Sequence, residues 1–191
     1  VARNIIGSNA TLGLLPLGTG NALARDLEIP ADVQRACEVI SQGKRANIDL
    51  GTVEDDYFVN IVSVGITTRI AESLDPASKR RYGRLVYLAA VMRAMVRMRP
   101  FEAQLVLSDG LHSVRTMLVV IGNGRFHAGP FPLAPEATIM DGVLSVYALA
   151  SDRKSAFFRL AWHLRTGRHV DLDEVAAFST TTGKLTTERP R

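Results

Sequence analysis

Three stretches of this 191-residue sequence gather residue types that could do chemistry. The first is Pro16-Leu17-Gly18-Thr19-Gly20-Asn21, which runs on into Ala22-Leu23-Ala24-Arg25-Asp26-Leu27. Two glycines free to take positive φ suit a tight turn, and the residues after it favour helix. A Gly-rich turn opening into a helix aims backbone N–H groups and the positive end of a helix dipole at one point, which suits phosphate. The spacing matches neither common nucleotide loop. No Gly-Lys-Ser/Thr follows, and the third glycine of GxGxxG is missing, so on spacing alone an ordinary strand-to-helix turn fits equally well.

The second stretch is Ile48-Asp49-Leu50-Gly51. Its alternation turns the Asp49 carboxylate away from the apolar face, which by itself describes a solvated strand residue. The third is Thr138-Ile139-Met140-Asp141-Gly142-Val143. Asp-Gly before a strand is a turn signal, but one carboxylate beside loop carbonyls is also how oxygen binds a hard cation. A basic run, Lys79, Arg80, Arg81 and Arg84, followed by Arg93, Arg97 and Arg99, could face phosphates or an anionic leaflet, or be a solvated surface. The four histidines show no ligand spacing, so no zinc site is expected. No Gly-x-Ser-x-Gly elbow supports a hydrolase triad. Cys37 is alone, so it forms no disulfide framework, and its place in a helix predicts a packed thiol.

Elements must position these groups. Leu12 to Leu15 reads as a short buried strand ended by Pro16. Residues 31–43 read as an amphipathic helix with Val33, Ala36, Cys37 and Ile40 inward and Gly43 as its stop. The period then changes to two, and residues 45–65 predict a β-hairpin turning at Glu54-Asp55-Asp56. Leu85 to Met98 is the clearest helix, closed by Pro100. Residues 101–107 and 111–122 read as a hairpin joined by Ser108-Asp109-Gly110. Residues 123–137 are too rich in Pro and Gly for an element. A strand at 143–149, a helix at 152–166 and strands at 175–179 and 184–187 complete the chain. The fold class expected is α+β: a mostly antiparallel β-sandwich with inserted helices (44–191), preceded by the last strand–helix part of an α/β nucleotide-binding domain (1–43).

The composition is that of a globular protein, with 47% apolar and 22% charged residues. A net charge of +4 suits anionic partners without selecting one. No signal peptide is seen at Val1-Ala2-Arg3-Asn4, and no apolar run reaches the length a spanning helix needs. The few aromatic residues do not interleave with the basic run, which argues against nucleic acid.

Pro16-Leu17-Gly18-Thr19-Gly20-Asn21-Ala22-Leu23-Ala24-Arg25 resembles the second signature of the diacylglycerol kinase catalytic-domain family, which includes bacterial lipid kinases, sphingosine kinases and ceramide kinases. The likeness extends to Ile48-Asp49-Leu50-Gly51 with Tyr57-Phe58-Val59-Asn60 and Gly65. It continues through Asn123, Gly129, Pro135 and Ala137 to Asp141-Gly142-Val143-Leu144. The resemblance implies a nucleotide-binding domain, a β-sandwich domain and a site between them. There the γ-phosphoryl group of ATP passes to a lipid hydroxyl with the help of Mg²⁺.

By position, Gly18, Thr19, Gly20 and Asn21 would lie near the nucleotide phosphates. Asp49 would join the polar network around the catalytic Mg²⁺. Asp141, with carbonyls at Thr138 and Val143, would match a structural Mg²⁺ site. Apart from the resemblance, the charge run Lys79, Arg80, Arg81 and Arg84 is expected to contact an anionic headgroup or phosphate. The implied setting is cytoplasmic and peripheral to the inner membrane face, with a lipid substrate and ATP as partners; a homodimer is compatible with it. Neither the family's Gly-Gly-Asp-Gly-Thr loop nor its Asp-Gly-Glu, source of the general base, is present. Ala22 replaces an Asp common in bacterial members. The expectation is a middle and C-terminal piece of a lipid kinase, inactive alone. An NAD-kinase-like enzyme with a soluble acceptor and a non-catalytic lipid- or nucleotide-binding module are the alternatives.

Overall fold

The computed structural model describes residues 2–18, 20–65, 99–126, 132, 134–164 and 171–188. Thr19, the basic run Lys79 to Arg84 and the expected helix at 85–98 lie outside the described residues. In chain order the elements are α1 (Ala2–Ile5), α2 (Ala22–Asp26), α3 (Val33–Ser41), β1 (Gly51–Val53), β2 (Asp56–Phe58), β3 (Ile61–Gly65), β4 (Phe101–Leu107), β5 (Gly110–Thr116), β6 (Leu118–Gly122), β7 (Leu144–Leu149), α4 (Lys154–Leu164), β8 (Val175–Thr180) and β9 (Gly183–Glu188). The mixed, mainly antiparallel architecture agrees with the expected fold class.

Two antiparallel sheets form the sandwich. One has the order β3-β6-β7-β8 and the other β5-β4-β9. Ala103, Leu105, Leu107 and Val114 from the second sheet pack against Val119, Val146 and Ala148 from the first. On the far side of the first sheet, Leu118, Val120 and Leu149 meet Ala156 and Leu160 of α4. The first sheet is therefore covered on both faces, which explains the unbroken apolar run Leu118-Val119-Val120-Ile121 of β6. The second sheet has one outward face, and β4 alternates accordingly, with Ala103, Leu105 and Leu107 buried and Gln104 and Val106 exposed.

The Asp-Gly hairpin forms as expected, pairing Leu107 with Gly110. The single strand expected over 111–122 does not. It divides at Met117 into β5 and β6, which belong to different sheets. Buried Thr116 makes the corner: its hydroxyl donates to the Leu118 carbonyl at 2.8 Å and accepts from the Leu118 N–H at 3.0 Å. Gly65 faces this corner with φ of 109°, and a Cβ there would stand 2.3 Å from the Met117 carbonyl oxygen.

Three further expectations are corrected. Leu12 to Leu15 is not a strand; it has no strand partner among the described residues, and Leu12, Leu15 and Leu17 are exposed. The hairpin over 45–65 is shorter, pairing only β1 with β2, while β3 joins β6 across the sheet. Within α3, Asp32 caps the Arg35 N–H and Gly43 ends the helix with φ of 65°. Only Ala36 is buried there; Val33, Ile40 and Cys37 are exposed, so Cys37 is not a packed thiol.

Candidate functional site

The turn before α2 is shaped by Asn21. Its side-chain oxygen accepts from the Gly18 N–H at 2.8 Å, and its amide donates to the Pro16 carbonyl at 3.0 Å. Asn21 itself takes the left-handed conformation, with φ of 48°, a region that Asn tolerates. A Cβ on Gly18 would stand 2.9 Å from the Asn21 oxygen, so the glycine allows this close approach. The Gly18 N–H is thus spent inside the turn. Arg25 braces it from α2, its Nε donating to the Gly20 carbonyl at 3.1 Å.

Asp49 lies on the extended segment entering β1. Its N–H donates to the Ile139 carbonyl at 2.9 Å, and its Oδ2 accepts from the Gly142 N–H at 2.7 Å. Ile139 is buried and anchors that loop. Asp141 is exposed, and its two carboxylate oxygens accept from the N–H groups of Thr138 and Val143, each at 2.9 Å. Gly142 takes φ of 69°, the left-handed step that turns the chain into β7. Asp49 and the Asp141 loop, far apart in sequence, are therefore one local structure.

Asn123, almost fully buried, ties this assembly to the sandwich. Its amide donates to the carbonyls of Asp49 at 2.8 Å and Val59 at 2.9 Å. Its own N–H donates to the Asn60 carbonyl.

One residue that sequence reasoning missed completes the connection. Asp26, at the end of α2, is buried, and its Oδ1 accepts from the N–H groups of Arg125 at 2.8 Å and Phe126 at 3.4 Å. Its Oδ2 is buried without a hydrogen-bond partner. A Cβ on Gly124 would stand 2.9 Å from that oxygen, so glycine makes room for the carboxylate. Burial raises the Asp26 pKa, against the lowering effects of the two N–H bonds and the Arg125 charge. A signal was available: an acidic residue in the last turn of a helix opposes the dipole and needs another reason to be there.

The chain from Asn21 through Arg25 and Asp26 to residues 123–126, and through Asn123 to Asp49 and the Asp141 loop, is continuous. Of the residues singled out from sequence, the structure joins Asp49 with Thr138, Asp141 and Val143, and places Gly18, Gly20 and Asn21 at the other end of this network. Both Asp141 carboxylate oxygens already accept a backbone N–H, at 2.9 Å each, so the carboxylate organises its own loop. No group of three or more His, Cys, Asp and Glu residues able to hold a metal occurs among the described residues. His112 packs on the Phe178 ring at 4.3 Å between centroids, and His127 and His169 lie outside the described residues.

Comparison with known proteins fixes the family. Residues 60–191 match the YegS C-terminal NAD kinase beta sandwich-like domain, and residues 1–53 match the diacylglycerol kinase catalytic domain. The chain belongs to the diacylglycerol kinase and YegS lipid kinase family. Within that family it is 32% identical over 182 residues to a diacylglycerol kinase of Mycobacterium tuberculosis strain H37Rv, covering 90% of this chain and 58% of the relative. It is 29% identical over 167 residues to a diacylglycerol kinase of Bacillus subtilis strain 168, covering 87% and 55%. The chain thus spans little more than half of each. The crystal structure of a diacylglycerol kinase from Bacillus anthracis strain Sterne has the same fold, with a TM-score of 0.63 at 18% identity over 90% of this chain and 56% of that one. Among the described residues no helix is long and apolar enough to cross a membrane.

Proposed function

We propose that this chain is the middle and C-terminal part of an ATP- and Mg²⁺-dependent lipid kinase, which transfers the γ-phosphoryl group of ATP to the hydroxyl of diacylglycerol or a related lipid. The division at residues 43 and 44 separates the remnant of its nucleotide-binding domain from its sandwich domain. The observation that carries the reading is the joining of Asp49 to the Asp141 loop by the Gly142 N–H, across 93 residues of sequence. Family membership supplies the reaction class that this site would serve.

Each residue then has a role. Gly18, Thr19, Gly20 and Asn21 form the wall against the nucleotide phosphates, with Asn21 setting the shape of the turn. Asp49 contributes negative charge to the network around the catalytic metal. Asp141 organises its loop and, with the Thr138 and Val143 carbonyls, would hold a structural Mg²⁺. Bound Mg²⁺ would neutralise charge on the phosphates during transfer. Lys79, Arg80, Arg81 and Arg84 contact the headgroup or phosphate at the inner membrane face. Loss of the acceptor proton needs a base within hydrogen-bond reach, and none in this chain is assigned that role. This chain alone is therefore expected to be inactive.

The sandwich family is also described as NAD kinase-like, which keeps a soluble dinucleotide acceptor as the second reading. The test is transfer of label from γ-labelled ATP by a chain extended at both ends, offered diacylglycerol, sphingosine, monoacylglycerol and NAD in parallel. Label in a lipid supports the proposal. Label only in NAD replaces it with the second reading. No label from a folded protein that binds ATP would leave a non-catalytic binding module.

A further inference from the structure

Helix α2 and the segment 123–126 after β6 meet through one buried side chain. Asp26 Oδ1 accepts from the Arg125 N–H at 2.8 Å and from the Phe126 N–H at 3.4 Å. A second link, from Glu28 Oε1 to Arg125 Nη2 at 3.8 Å, is long and Glu28 is well exposed, so it adds little. The loop backbone closes directly on the Asp26 carboxylate: a Cβ on Gly124 would stand 2.9 Å from Oδ2 and 3.1 Å from Cγ.

Each end of this joint leads to a candidate site residue. Toward the turn, Arg25 precedes Asp26; its Nε donates to the Gly20 carbonyl at 3.1 Å and its N–H to the Asn21 carbonyl at 3.0 Å. With α2 only five residues long, the turn and Asp26 are held as one short helical piece. Toward the sandwich, Asn123 lies two residues before Arg125. Its amide holds the Asp49 carbonyl at 2.8 Å, and its N–H holds the Asn60 carbonyl at 2.8 Å. Movement of α2 against residues 123–126 therefore changes the distance from the turn to Asp49.

We infer that Asp26 is a positioning residue for phosphoryl transfer, holding the turn of Gly18, Gly20 and Asn21 in register with Asp49 through residues 123–126. The inference rests on the lipid-kinase reading, which assigns the turn to the nucleotide phosphates and Asp49 to the metal network. Transfer of a phosphoryl group depends on alignment more than on covalent chemistry, so a joint between the two parts bears on rate. The turn keeps its own bonds from Asn21 and Arg25 when the Asp26 side chain is removed. Nucleotide binding should therefore survive while alignment is lost.

The test uses the chain extended at both ends, with γ-labelled ATP and diacylglycerol. Asp26→Ala should lower kcat about tenfold while KM for ATP stays within about twofold. Asp26→Asn keeps an acceptor oxygen for the Arg125 N–H and should recover kcat to within about threefold of the parent. Thr116→Val weakens the corner at the far end of β6 and should keep the parental kcat. Equal losses of kcat in Asp26→Ala and Thr116→Val would assign the effect to stability and overturn the inference, as would a parental kcat in Asp26→Ala. If Asp26→Ala does not fold, Gly124→Ala presses on the same carboxylate from the loop side and should give the same loss; a parental kcat there would overturn the inference. A parent that transfers no label fails the kinase reading instead, and hydrogen exchange then decides the joint. The Asn123 amide should exchange about tenfold faster in Asp26→Ala than in the parent, and an unchanged rate would overturn the inference.

Discussion

Replacing Asp26 with alanine should loosen the joint between α2 and the loop after β6. The change removes the acceptor of the Arg125 N–H, a 2.8 Å bond to a carboxylate, and of the longer 3.4 Å contact from Phe126. A bond to a charged acceptor contributes about 1.5–3 kcal/mol, and the long contact adds little. The buried, unpartnered Oδ2 works the other way, since its desolvation cost disappears with the side chain. The net loss should be about 1–2 kcal/mol. Asp26→Asn keeps an oxygen for Arg125 and removes the charge, so it should cost less than Asp26→Ala.

The pH dependence distinguishes the two further. Burial raises the folded-state pKa of Asp26 above the ordinary value of 3.8. Folding therefore favours its protonated form. That contribution is full below the ordinary value and is lost as pH rises through the folded one. Asp26→Asn has no such dependence and should gain stability relative to the parent as pH rises through that window. Urea unfolding at several pH values, with hydrogen exchange at the Arg125 and Phe126 amides, measures both effects. An alanine variant within about 0.5 kcal/mol of the parent, with those amides still protected, would refute the reasoning.

Other outcomes follow from single contacts. Gly51 lies across from Phe58, and a Cβ there would stand 2.1 Å from the ring, so Gly51→Ala should cost about 1–3 kcal/mol in thermal or urea unfolding. Thr116→Val leaves the Leu118 N–H and carbonyl without their hydroxyl partner and should destabilise by about 1–3 kcal/mol on the same measurement. This chain alone, offered γ-labelled ATP and diacylglycerol, should show no turnover above a vector-only control; measurable turnover would show that the assigned machinery is incomplete.

The hairpin at Asp109-Gly110 was legible because its turn chemistry and its alternation agree. The unbroken apolar run of β6 accords with its burial on both faces, but nothing in the sequence marks its separation from β5. Thr116 looks like any β-branched strand residue, and only the tertiary structure shows its hydroxyl closing the corner on Leu118. Leu12 to Leu15 misled for the opposite reason: an apolar run specifies burial or pairing only where a partner exists. Asp49 and Asp141 were legible through the motifs around them, whereas their union through Gly142 depends on contacts that sequence spacing does not encode. Asp26 was passed over because a carboxylate after Ala-Leu-Ala-Arg resembles a solvated helix end, and its partners lie 99 and 100 residues away.

The most direct test of the account is label transfer from γ-labelled ATP to diacylglycerol by the chain extended at both ends, measured for the parent and for Asp49→Asn. The substitution keeps an oxygen for the Gly142 N–H while removing the charge. The account expects folding and ATP binding to persist and turnover to fall about 100-fold. Undiminished lipid phosphorylation by Asp49→Asn would contradict it.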